Sequence, residues 1–115
     1  MVTRLVHHAA ASLLIDLESD LRRLGVWEVS PPSAEALASQ EPFAIDTLTF
    51  TQWLQFIFVP KMYTLIESRA ALPVSCAITP MAEEYFRGAP LPIADLMKTL
   101  RSMDALLSEK SPEPD

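Results

Sequence analysis

Apolar residues recur every three or four positions along the first 24 residues, with polar and charged residues between them. This spacing predicts an amphipathic helix from Thr3 to Leu24, because it places one apolar stripe along a helix of about 3.6 residues per turn. Gly25 follows and is predicted to end the helix in a left-handed conformation. The stripe consists of Val6, Ala10, Leu13, Leu14, Leu17, Leu21 and Leu24.

A second long helix is predicted from Thr49 to about Arg69. Thr49 and Gln52 fit a capping box, in which each side chain bonds the backbone amide of the other residue. Pro60 lies inside this helix, where it supplies no amide N–H and its ring crowds the preceding turn. We therefore expect a kink between Phe56 and Pro60, with two separate helices as the alternative.

Three further helices complete the pattern. Ser33 is predicted to cap a short helix, because its hydroxyl can accept from the free amides of the first turn. Another helix is predicted to begin at Thr79-Pro80 and to end near Gly88, and the last begins at Pro92. The last helix has its own apolar stripe, formed by Ile93, Leu96, Met97, Leu100, Met103 and Leu107.

The sequence therefore predicts an all-α fold. We expect a compact bundle of four main helices in roughly up-and-down order, with a proline-kinked second helix and a short extra helix. Two glycines against ten prolines suit helices separated by stiff connections better than hairpins. Residues 1–110 are predicted to form a single domain, followed by a flexible tail at 111–115.

The second helix is apolar on more than one side. Trp53, Leu54 and Ile57 are predicted to lie in the structural core. A second stripe, roughly opposite, consists of Gln52, Phe56, Val59 and Tyr63. Either the connections and the first helix cover this stripe, or it forms a groove or homodimer surface that binds a protein partner.

The charge pattern excludes some partners. The net charge is −6 and the nine basic residues are scattered, so no direct nucleic-acid binding is expected. No apolar stretch is long enough to span a bilayer, and no membrane association is expected. Cys76 has no cysteine to pair with, which suits a reducing cytosol and predicts a cytoplasmic location.

The sequence contains no recognisable catalytic constellation. His7 and His8 are adjacent rather than three or four residues apart, so they cannot share a helix face as metal ligands. Glu83 and Glu84 point about 100° apart on a helix, so they are not expected to form a catalytic pair. A stabilising interaction with the positive end of the helix dipole explains them better. We therefore expect no catalytic residue, no cofactor and no metal, and favour a protein that is not an enzyme.

Three other polar residues have structural explanations. Asp46 and Thr47 precede the second helix, and Asp46 is predicted to cap a turn or the start of that helix. Asp104 lies at the edge of the last apolar stripe and is predicted to form an ion pair with Arg101 or with a neighbouring helix.

Three segments resemble the YqcC-like family of small bacterial proteins. They are PFAIDTL at 42–48, QWLQF and VPKM within 52–62, and LP followed by PMAEE at 72–84. The resemblance covers most of the chain from Leu13 to Leu107. It implies a compact helical bundle and a cytoplasmic setting, and it offers no catalytic residue. The family is sometimes labelled as associated with a tRNA pseudouridine synthase, which implies at most an accessory relation to such an enzyme.

Two functions follow from these patterns. The first is an interaction or accessory protein that docks a partner, or a second copy of itself, through the stripe of the second helix. An RNA-modifying enzyme is one candidate partner. The alternative is a small-molecule-binding helical protein, or an uncharacterised enzyme, with a pocket beside the Pro60 kink and the loop at 73–80.

Overall fold

The computed structural model describes residues 2–72 and 78–107, with side chains from residue 6 onward. In this part of the chain the fold is all-α, as predicted. The elements are α1 (Val2–Arg23), α2 (Ala34–Leu37), a 3-10 turn (Pro42–Ala44), α3 (Phe50–Trp53), a π turn (Leu54–Phe58), α4 (Val59–Glu67), α5 (Ile78–Tyr85) and α6 (Ala94–Leu107). The run from α3 to α4 is continuous and is called the central helix below. The predicted tail and Cys76 lie outside the described residues.

The core lies where α1, the central helix, α5 and α6 meet. Helix α1 packs mainly on α6 and on α4, and α5 packs on α6 and on α3. Full burial of one leucine, isoleucine or methionine side chain stabilises the fold by about 1.5–3 kcal/mol, so these contacts dominate its stability. The most deeply buried large side chains are Leu14, Leu17, Leu21, Leu54, Met62, Ile78, Leu96, Leu100 and Met103.

Local capping explains several helix ends. Gly25 has a φ of 77°, and the Val26 amide donates to the Leu21 carbonyl at 3.2 Å, which is the predicted left-handed end of α1. The Ser33 hydroxyl accepts from the Ala36 amide at 3.1 Å. Both bonds of the capping box that begins the central helix are present, at 2.9 and 3.2 Å.

The π turn accommodates Pro60 within a continuous helix. Its backbone bonds span five residues instead of four, and the Val59 amide donates to the Leu54 carbonyl. Pro60 then stands near the start of α4, where a missing amide N–H is tolerated best. The helix is therefore not divided into two at this proline. A wider turn replaces the regular α geometry just before it.

The π turn also keeps the buried residues of the central helix on one side. Phe50, Leu54, Phe58 and Met62 are all buried and recur every four residues. In a regular helix Met62 would lie about 120° around the axis from Phe50, because each residue advances the helix by about 100°. One extra residue in the turn removes most of that difference, so α3 and α4 face the same core.

The start of α5 differs from the prediction. Thr79 was expected to cap this helix, but it lies within the helix, whose described range begins at Ile78. The acceptor comes instead from α6, because the Asp104 carboxylate accepts from the Ile78 amide at 3.0 Å and from the Thr79 amide at 2.7 Å. Asp104 thus meets a neighbouring helix through its backbone amides, and the predicted ion pair with Arg101 stays a prediction.

Candidate functional site

The predicted partner surface on the central helix is divided between surface and core. Val59 is only 4% exposed and belongs to the hydrophobic core, so it cannot contribute to a surface of the folded chain. Gln52, Phe56 and Tyr63 are half-buried. Whether these three bind a partner stays a prediction.

Gln52 and Gln55 fix the connection that follows α1. The Gln55 side chain is 6% exposed, accepts from the Glu28 amide at 2.9 Å and donates to the Glu28 carbonyl at 2.7 Å. The Gln52 amide group donates to the Glu28 carboxylate at 3.3 Å. These bonds hold Glu28, in the connection after α1, against the central helix. Of the predicted stripe they involve Gln52, so coverage of the stripe as a whole stays a prediction. The role of Gln55 was not predicted, because its partner lies 27 residues away in the chain.

Tyr63 faces α1. Its pKa is raised above the usual value of 10.0 by burial first, and then by the negative charge and hydrogen bonding of Glu18. The ionised phenolate would repel the Glu18 carboxylate, so the folded chain favours the neutral phenol. Tyr63 therefore connects the central helix to α1 and offers only part of its ring to the surface.

This contact predicts a loss of stability in alkali. A group whose pKa is higher in the folded chain contributes stability below its unfolded pKa and loses that contribution as the pH rises through the folded pKa. Between pH 9 and pH 11.5, Tyr63→Phe is expected to lose less stability than the wild type, by roughly a few tenths of a kcal/mol because solvent screens the pair. Urea unfolding at both pH values measures this, with the exposed Tyr85→Phe as control. Equal losses for wild type and Tyr63→Phe would contradict the contact.

The predicted core residues of the central helix are not equivalent. Leu54 is 0% exposed and lies in the core cluster, whereas Trp53 is half-buried and packs against that cluster. Ile57 is also half-buried. Phe56 and Ile57 are neighbours in the π turn and both half-buried, and each presents part of an apolar side chain to solvent there. Segments of π geometry inside helices are often found at functional sites.

An aromatic cluster extends from the central helix to the surface. The Trp53 ring contacts Phe43 edge-on at 4.8 Å between centroids and stacks near Phe58 at 5.4 Å. Phe50 lies 6.2 Å from Trp53 and 5.8 Å from Tyr85, which is itself exposed. Such ring pairs contribute about 0.5–1.5 kcal/mol beyond burial, so the cluster is a rigid part of the fold as well as a surface.

The connection before the central helix is held in a strained form. Phe43 and Ala44 have positive φ angles of 58° and 49°, which non-glycine residues seldom adopt. Ala44 is buried, but Ile45, which follows, is 61% exposed. Ile45 belongs to the PFAIDTL segment at 42–48, which carries part of the family resemblance, but its exposure was not predicted. Strain of this kind persists only where surrounding contacts maintain it.

Asp46 and Thr47 hold this connection in place. The Asp46 carboxylate accepts from the Ser39 hydroxyl at 2.5 Å, and the Thr47 hydroxyl donates to the Ala36 carbonyl at 2.7 Å. The expectation that Asp46 caps a local turn or helix start is therefore wrong in detail, since its carboxylate bonds Ser39, which follows α2 and lies seven residues back. Both side chains are exposed, and these bonds give each of them a structural role.

A buried carboxylate joins α1 to α6. Asp20 is 5% exposed, and its two oxygens accept from the Thr99 hydroxyl at 2.6 Å and from the Arg23 guanidinium at 2.5 Å. Clefts of about 250 and 280 Å³ adjoin it, and both are lined by Asp20, Arg23 and Asp95. Because the Asp20 oxygens already accept hydrogen bonds within the protein, this cluster is a structural connection. The pocket predicted beside Pro60 and the loop at 73–80 is elsewhere in the fold; it lies partly outside the described residues and stays a prediction.

The polar residues with candidate chemistry do not assemble into a reactive centre. His7 donates from its ring Nε2 to the Ala70 carbonyl at 2.7 Å, joining α1 to the end of α4. Glu84 pairs with Arg87 at 2.7 Å on the exposed side of α5. Among the described residues, no three His, Cys, Asp or Glu side chains are placed to hold a metal ion. Nor does any described helix combine the length and apolar character needed to cross a membrane.

These features define a small all-helical protein with an apolar and partly exposed central helix. The family model named DUF446 and described as tRNA pseudouridine synthase C matches residues 9–106. The chain belongs to this family, and the resemblance seen in its sequence motifs is confirmed. The solution NMR structure of YqcC from Escherichia coli has a TM-score of 0.82 at 27% identity, over 100% of this chain and 96% of that chain.

Curated relatives extend the comparison. An uncharacterized protein of Haemophilus influenzae is 46% identical over 74 residues, which are 64% of this chain and 70% of that protein. YqcC of E. coli is 29% identical over 93 residues, or 81% of this chain and 85% of that protein. A protein of Pectobacterium carotovorum named tRNA pseudouridine synthase C is 47% identical over 62 residues, or 54% of this chain but 16% of that protein. The first two relatives are named as uncharacterized proteins, and nothing in these comparisons demonstrates catalysis.

Proposed function

We propose that this chain is a cytoplasmic, non-catalytic accessory protein that docks onto a tRNA pseudouridine synthase. The observation that carries the proposal is the match to 16% of the P. carotovorum protein that bears this enzyme name. In that protein, the segment similar to this chain is a small part of a much longer polypeptide. Covalent linkage keeps two parts of one chain at high effective concentration, whereas separate chains need a docking surface to associate.

The chain suits an accessory role better than a catalytic one. The buried polar groups of Gln55 and Asp20 are both engaged by neighbouring parts of the fold. The apolar groups of the central helix are less completely covered, with Phe56 half-buried in the π turn. Interfaces form where apolar and aromatic side chains are available on a rigid element, so this side of the central helix is the proposed docking site.

Direct binding to the enzyme tests the proposal. The purified chain and the tRNA pseudouridine synthase of the same organism are combined and examined by isothermal titration calorimetry and analytical ultracentrifugation. We expect a defined complex with a dissociation constant of about 10 μM or tighter. The absence of a complex at protein concentrations of about 100 μM would overturn the proposed function.

Variants of the central helix then locate the surface. Phe56→Glu is expected to weaken the complex at least tenfold, equivalent to ~1.4 kcal/mol, because it places a charge in an apolar contact. Leu91→Glu, a similar change at a partly exposed leucine before α6, is the control. Circular dichroism checks that each variant is folded, and Phe56→Ala replaces Phe56→Glu if the charged variant unfolds. Wild-type affinity in a folded Phe56 variant would exclude this side of the helix.

A further inference from the structure

We infer that the partner segment is cationic and docks on an acidic aromatic face, which consists of Glu41, Phe43, Ile45, Asp46 and Trp53. The inference rests on the proposed function and adds both a surface and the chemistry of the segment that it binds. Each of these residues lies in the connection before the central helix or at the first turns of that helix. Trp53 lies three residues before Phe56 on the central helix and is likewise half-buried, so the face adjoins the proposed docking side.

The apolar part of this face is rigid and accessible. Ile45 is 61% exposed, and its two predecessors are held at positive φ angles, so a strained backbone presents an apolar side chain to solvent. The Ala44 amide donates to the Glu41 carbonyl at 2.9 Å, and the Leu48 amide to the Ala44 carbonyl at 2.8 Å. Phe43 and Trp53 are half-buried and in edge-on contact. A preorganised apolar surface loses little conformational entropy on binding.

The part of the chain that carries the face has charges of one sign over a long stretch. Between Arg23 and Lys61 the sequence contains four acidic residues, Glu28, Glu35, Glu41 and Asp46, and no lysine or arginine. All four are exposed. Hydrogen bonds hold Asp46 to Ser39 and Glu28 to Gln52, so part of this negative charge is fixed in position. A region of one sign attracts an oppositely charged partner and directs its approach.

Arginine is the side chain that matches both properties. Its guanidinium can pair with a carboxylate while its plane stacks on an aromatic ring, which lysine does less well. The chain contains the aromatic half of this contact internally, with the Arg22 guanidinium over the Trp27 ring, 4.3 Å from its centre. An enzyme that binds tRNA must carry basic surface to neutralise phosphates, so such segments are available on the proposed partner.

The first experiment compares two isoleucines of almost equal exposure. Ile45 is 61% exposed on the face and Ile15 is 62% exposed on α1, so Ile45→Glu and Ile15→Glu make the same change in two places. In titrations with the synthase, Ile45→Glu is expected to weaken binding at least tenfold and Ile15→Glu to change it less than twofold. Glu41→Lys combined with Asp46→Lys is expected to weaken binding similarly, and Glu67→Lys on α4 is the charge control. A complex that is unaffected by the changes on the face would overturn the inference and leave the proposed function intact.

A second experiment tests the chemistry of the face without the synthase. Trp27→Phe leaves Trp53 as the remaining tryptophan of the chain, so its fluorescence reports on the face. An amidated peptide of alternating arginine and leucine is expected to change this fluorescence saturably. The change should be smaller at 0.5 M salt, because the Debye screening length shortens as salt is added, to about 3 Å at 1 M. A glutamate–leucine peptide is the control. A saturable response lost in the Glu41→Lys, Asp46→Lys variant would support the cationic segment even if the synthase failed to bind. No response to the arginine peptide would overturn the inference.

Discussion

Replacing Leu54 with alanine is expected to lower the free energy of unfolding by about 3 kcal/mol, within the usual range for a buried leucine. Leu54 is 0% exposed and lies at the first position of the π turn, in contact with the core. The change removes the transfer free energy of the lost methyl groups and leaves a cavity that neighbouring side chains fill only partly. Urea unfolding followed by circular dichroism measures the loss.

Ile57→Ala is the informative control for this experiment. Leu54 and Ile57 are three residues apart and were both assigned to the core by their sequence periodicity, but Ile57 is half-buried. We expect its replacement to cost less than about half as much as that of Leu54, because less surface is removed from water. Equal losses for the two variants would contradict the orientation of the π turn described above.

Asp104→Ala is expected to lower the free energy of unfolding by about 2 kcal/mol. The Asp104 carboxylate accepts from the Ile78 and Thr79 amides, which lie in the first turn of α5. Loss of a capping side chain costs about 0.5–2 kcal/mol, and hydrogen bonds to a charged group contribute more than neutral ones. The effect should appear as a lower urea midpoint with an unchanged dependence on urea concentration.

A second aspartate of α6, the helix that carries Asp104, distinguishes this effect from a general loss of charge. Asp95 is exposed in the first turn of the same helix, and Asp95→Ala is expected to cost less than about 1 kcal/mol, as for an exposed charge near a helix end. Asp104→Asn is expected to retain part of the stability, because its amide oxygen still accepts one bond. Equal destabilisation by Asp95→Ala and Asp104→Ala would contradict the capping role.

Local signals were sufficient for the ends of several helices, though not for the start of α5. Gly25, Ser33 and Thr49 act within a few residues of their own positions, so their roles can be predicted from spacing alone. The stripes of α1 and α6 were likewise correct, because a single amphipathic period continues through each helix. The fold class therefore follows from patterns that need no knowledge of the tertiary structure.

The candidate surface was predicted less well, for two physical reasons. Periodicity assumes a constant angle per residue, and the π turn changes that angle, which moves Val59 from the second stripe into the core. The polar contacts of Gln55 and Asp104 join residues 25 to 27 positions apart, which no local pattern specifies. Ile45 is exposed because of two unusual backbone angles before it, and neither residue is a glycine that would have signalled them.

The π turn also limits which insertions and deletions this protein can tolerate. Phe50 and Met62 face the same core because the turn holds one residue more than a regular helix would. A further residue inserted between Leu54 and Phe58 would turn α4 by about 100° relative to α3, which would carry Met62 out of the core and the Tyr63 ring away from Glu18. A residue deleted there would leave α4 facing nearly the same way on a regular helix, but the Pro60 ring would then crowd the preceding turn. Insertion and deletion in this segment are therefore expected to have unequal effects, with insertion the more damaging to the core.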